Sequence, residues 1–122
     1  MIDHISSPKH NEGIWLWLYK ILAGLLVIVV LGIHFVINHA VAPSGLLNYE
    51  DVIRYYKVPV IPIMEGFFLV IVVTHSLLGV RGIVLDMNPS QKVRRAADWI
   101  FTMFGATAIA YGIWLLVVLA NR

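Results

Sequence analysis

Hydrophobic and polar positions along this chain are segregated into long blocks. Three blocks carry almost no charge: residues 21–49, residues 58–80 with Glu65 as the exception, and residues 99–121. Each is long enough to cross a bilayer, which takes about 20 apolar residues. The pattern predicts a first helix from near Gly13 or Ile14 to about Val41, where Ala42-Pro43-Ser44-Gly45 stops it. A second runs over 59–86, opened by Pro59 and Pro62 and closed before the turn signal Asn88-Pro89-Ser90. A third covers 97–120 and is expected to hold no ionisable residue, its Gly105, Ala106, Ala108, Ala110 and Gly112 offering a small surface for packing. The fold class is therefore all-α, an integral-membrane three-helix bundle formed by one domain, residues 1–122.

The segments outside the spans are polar. Residues 1–13 read as an exposed tail that includes His4 and His10. Ala40-Val41-Ala42 imitates a signal-peptide cleavage site, but the apolar run before it is longer than the roughly 7–15 residues of such a leader. Leu46 to Lys57 mixes Glu50, Asp51, Arg54 and Lys57 with Tyr49, Tyr55 and Tyr56, and is expected to form a short helix at the membrane interface. Trp15, Trp17 and Tyr19 cluster where the first span starts, as amphipathic rings do at a headgroup boundary. Three spans put Lys9, Lys20, Arg81, Lys92, Arg94 and Arg95 on one side and Arg54, Lys57 and Arg122 on the other. The positive-inside rule then places the N-terminus in the cytoplasm.

Composition narrows the classes further. The chain has 60% hydrophobic and 13% charged residues, against about 25% charged in a soluble domain. It has no cysteine, which excludes disulfide scaffolds, thiolate zinc sites, cysteine-ligated iron–sulfur clusters and covalently attached haem. A net charge of +2 is too small an excess to point to nucleic acid.

The polar residues left inside the spans fall on two helical stripes. Lys20, Gly24, Val27, Leu31, His34 and Asn38 follow one another at spacings of four and three. Glu65, Phe68, Val72, His75, Gly79, Gly82 and Asp86 do the same in the second span. Ionisable groups in lipid are costly and face a bundle interior or a cavity, so both stripes should look inward. A histidine held there can serve as a haem ligand, a proton relay or an interhelical hydrogen-bonding group. Antiparallel spans with these positions would put His34 and His75 about 15 Å apart along the bilayer normal, too far for one haem to use both. His39, at the outer end of span one, would touch a haem propionate or a quinone, or be solvated at the interface. Glu65 is open to two readings, a proton-relay carboxylate or an interfacial residue.

The block Thr74-His75-Ser76-Leu77-Leu78-Gly79-Val80-Arg81-Gly82-Ile83-Val84-Leu85-Asp86 resembles the second helix of the membrane-anchor subunits of succinate:quinone oxidoreductase and quinol:fumarate reductase, complex II. That helix carries a His, a Gly four on, often an Arg six on and an Asp eleven on, matched here by His75, Gly79, Arg81 and Asp86. Span one looks similar, with Lys20 where the family usually has Arg, then Gly24, Gly32 and His34. The resemblance implies a cytochrome b-type anchor of the cell inner membrane, paired with a second anchor chain and docking the iron–sulfur and flavoprotein subunits. It implies one or two haem b groups shared with the partner chain, His75 and His34 being axial ligands and Arg81 a propionate partner. A quinone, menaquinone or ubiquinone, would bind near Lys20, Trp17 and Asp86. Met87 stands where one kind of anchor has a Tyr, so it offers no phenolic donor. The readings of another class are a cofactor-free structural subunit, or a proton-conducting one using Glu65, His34 and His75.

Overall fold

The computed structural model describes residues 13–36, 39–40 and 44–122. The tail with His4 and His10, the stripe residue Asn38 and the first half of the stop signal, Ala42 and Pro43, lie outside them. The described residues form four helices, α1 (Ile14–Val36), α2 (Tyr49–Tyr56), α3 (Val60–Asp86) and α4 (Gln91–Ala120). Helices α1, α3 and α4 are long and apolar enough to span a membrane, and α2 is the short helix expected between the first two spans. The protein is a multi-pass membrane protein.

Helix ends are set by local chemistry. Ser90 caps α4 by accepting from the Val93 amide, so the helix begins about six residues before the expected span. At about 1.5 Å per residue its 30 residues reach about 45 Å, more than the hydrocarbon thickness of about 30 Å. The extra turns carry Lys92, Arg94 and Arg95. Asp98 is the second residue of the expected span 97–120 and lies within α4, so the expectation of a third span free of ionisable residues fails at that position. Asn88, between α3 and α4, adopts the left-handed conformation (φ 53°) that asparagine tolerates best after glycine. Pro59 precedes α3 and Pro62 lies in its first turn, where a missing amide hydrogen costs no helical bond.

Helix α2 is held by a capping box: Asp51 N donates to Asn48 Oδ1 at 2.9 Å, and Asn48 N donates back to Asp51 Oδ2 at 3.2 Å. Asn48→Ala should cost about 1 kcal/mol of local stability. The expected readout is faster amide hydrogen exchange at Asp51 and Val52, with α3 and α4 unchanged.

Helix α3 is the centre of the bundle. Helix α4 packs along it, α1 packs on another part of it, and α1 and α4 do not pack on each other. The α3–α4 seam is close because α4 presents glycines to leucines. A Cβ added at Gly105 would lie 2.6 Å from Leu77 Cδ1, and one at Gly112 would strike the Leu69 side chain. That bears out the packing role expected for the small residues of the third span. Among the described residues only Ala23, Ile71 and Gly105 are buried. Nearly all the large apolar side chains are thus left for lipid or for partner helices, as expected where lipid rather than water is the solvent.

Candidate functional site

The two polar stripes meet along the α1–α3 seam, at two levels. At one level His75 lies against Gly24: a Cβ at Gly24 would be 3.1 Å from His75 Cε1. At the other, His34 Nε2 is 2.8 Å from Glu65 Oε1, and the His34 ring stacks on Phe68 with centroids 5.7 Å apart. Gly24 and His34 are ten residues apart on α1, as are Glu65 and His75 on α3. Two antiparallel helices in register at both points separate the levels by about 15 Å, the spacing expected from the sequence.

The two histidines differ in what their nitrogens do. Nδ1 of His75 is buried and has no hydrogen-bond partner. One turn beyond it Gly79 has no atom within 4 Å of where a Cβ would stand, and neither has Gly82. The seam is therefore closed by α1 at His75 and open just past it. His34 is fully engaged. Its Nδ1 donates to the Val30 carbonyl at 2.8 Å, so the Nε2 contact with Glu65 needs one further proton between the two groups. Either a protonated Glu65 donates to Nε2, or the imidazolium donates to the carboxylate. Both forms are neutral overall, which suits a pair whose side chains are 32% and 15% exposed. Tyr55 and Tyr56 of α2 lie close enough to this pair that burial, and then the Glu65 carboxylate, push both phenols above their usual range.

The remaining sequence-derived candidates are dispersed. His39 is exposed, donates through Nδ1 to the Phe35 carbonyl at 3.1 Å and stacks on Phe35. Arg81 turns to α4, where its Nε donates to Asp98 Oδ1 at 2.6 Å. Trp17 and Asp86 are exposed. A cavity of about 660 Å³ opens instead between α1 and α4 on one side of α3. Its α1 wall is Leu16 and Tyr19, and the Arg81–Asp98 pair closes one end. The Tyr19 hydroxyl meets Thr74 Oγ1 on its lining. Sequence reasoning missed Asp98, Tyr19 and Thr74 as polar partners; the sole signal was that Tyr19 and Thr74 are hydroxyl-bearing residues inside apolar spans.

Three apolar spans with a histidine and a histidine–carboxylate pair at two depths of one seam define a small polytopic membrane subunit with polar chemistry between its helices. The family follows from comparison of the chain with known proteins. It belongs to the succinate dehydrogenase/fumarate reductase transmembrane subunit family, whose model matches residues 2–117. It is 29% identical over 116 residues to the succinate dehydrogenase hydrophobic membrane anchor subunit of Archaeoglobus fulgidus, covering 95% of this chain and 97% of that one. It is 28% identical over 93 residues to the succinate dehydrogenase 2 membrane subunit of Mycobacterium tuberculosis, covering 75% of this chain and 68% of that one. No solved structure matches it significantly. As a membrane subunit of complex II it works among other subunits of that complex and in a lipid bilayer.

Proposed function

We propose that this subunit binds haem b through His75 and passes electrons between an iron–sulfur subunit and membrane quinone. The observation that supports this best is His75 itself. A buried imidazole nitrogen without a partner is costly where no water can satisfy it. The glycine surface one turn away leaves room for a flat ring. These residues fit the group: His75 would hold the iron, and Gly24 keeps space for the imidazole on the α1 side. When bound, such a haem supplies reversible one-electron transfer, and a second histidine from the other anchor chain would leave no open position for oxygen. Flavoprotein, iron–sulfur subunit and second anchor chain are the partners this reading requires, in the inner membrane with the N-terminus cytoplasmic. Arg81 would neutralise propionates, whereas His39, fifteen residues along the chain from Gly24, is about 22 Å from the His75 level and out of their reach; Lys20, Trp17 and Asp86 would approach the quinone.

His34 is the weaker ligand as arranged, because both ring nitrogens are already in hydrogen bonds. We assign it to a polar lock between α1 and α3; a second haem there would require Glu65 to give up Nε2. The same pair supports the second reading, in which His34 and Glu65 handle a proton. The test is the dithionite-reduced minus oxidised absorption spectrum of the complex purified through this chain. A b-type haem signal is expected, and its absence would remove the haem reading and leave the proton-handling or structural one.

A further inference from the structure

Asp98 has no part in the haem reading, yet it binds the cation on the helix that carries His75. Arg81 Nε donates to Asp98 Oδ1 at 2.6 Å, and Nη2 donates to Oδ2 at 3.5 Å. Both carboxylate oxygens therefore meet one edge of the guanidinium, which fixes its orientation as well as its charge. Arg81 follows His75 by six residues on α3, a rise of about 9 Å. The side chains that line the space beside the pair, Leu77, Leu78 and Phe101, are apolar, so its charges are weakly screened on that side. Stability does not account for the carboxylate. Ser90 already caps α4, and an ion pair whose side chains are 34% and 44% exposed adds little to the fold.

We propose that Asp98 is a positioning and charge-compensating residue: it holds the Arg81 guanidinium against α4, cancels its charge, and so sets the reduction potential of a haem held at His75. This rests on the haem reading above, to which it adds a residue from another helix. The expected effect follows from sign alone. Reduction adds one electron to the haem, so a nearby cation favours it and a nearby anion opposes it. With both partners present the pair is neutral overall. Without Asp98 the guanidinium charge is uncompensated and its fork is no longer held toward α4; without Arg81 the carboxylate charge is uncompensated.

Spectroelectrochemical titration of the b-type haem in the assembled complex tests this in wild type, Asp98→Asn, Arg81→Gln and the double variant. Asp98→Asn should raise the midpoint potential and Arg81→Gln should lower it. The double variant, which removes both charges, should return close to wild type. A merely structural contact behaves differently, because each single substitution breaks the same α3–α4 link and would move the potential the same way. Equal potentials in all four proteins, shifts of one sign in both single variants, or a double variant that does not return would each overturn the role of Asp98 with the haem reading intact. A wild-type complex without a b-type signal would remove the haem reading, and this inference with it.

Discussion

Complex II carrying His75→Ala in this subunit should assemble and lose a b-type haem. The substitution removes the one imidazole on the seam that has an unpartnered nitrogen, and alanine cannot coordinate iron. The surrounding contacts barely depend on the ring: His75 touches Gly24 across the seam and makes no hydrogen bond to hold α1 in place. The expected outcome is therefore spectral, a lost reduced-minus-oxidised band, with the flavoprotein still bound to the membrane. Gly24→Val tests the same contact from the other helix. Its Cβ would crowd His75 Cε1 from 3.1 Å and its two methyl groups would add to that, so the haem band should fall with His75 still present. A full haem signal in both variants would place the ligand elsewhere.

The second large effect is expected at Gly112. Any Cβ there enters the Leu69 side chain, and three atoms of that leucine stand within 3.4 Å of it, so no single methyl shift clears the space. Gly112→Leu should open the α3–α4 seam at a cost of about 1–3 kcal/mol, the usual range for overpacking a tight contact. Gly32→Leu is the matched comparison, because nothing lies within 4 Å of a Cβ at Gly32. Thermal loss of the assembled complex in detergent should come at a lower temperature for Gly112→Leu and shift little for Gly32→Leu. Equal shifts would show that helix bulk, and not the Leu69 contact, sets the stability.

The spans were legible because lipid imposes a simple condition, long runs without charge, and Asn88-Pro89-Ser90 and the paired prolines punctuate those runs. The inward stripes were legible as far as the α1–α3 seam goes. Gly24, His34, Glu65, Phe68 and His75 all face across it. Partnership was not legible. Periodicity places Glu65 and His34 on facing stripes, but only the relative sliding of two helices decides that they meet. Arg81 illustrates the same limit, since a long flexible side chain can reach toward a headgroup, a propionate or another helix, and the turn at 87–90 brings Asp98 within its reach. Asp98 itself was legible and passed over: it is the second residue of the expected span 97–120 and the last charge before an uncharged run. The described part of α1 runs to Val36, and the expected helix end at 41 lies outside the described residues.

The most direct test of the account is the pyridine-haemochrome ratio of haem to complex in three preparations: wild type, His75→Ala and His34→Ala. The account predicts one haem fewer in His75→Ala. In His34→Ala it predicts the wild-type ratio, with the damage confined to a weaker α1–α3 contact. An unchanged ratio in His75→Ala, or a haem lost from His34→Ala, would contradict it.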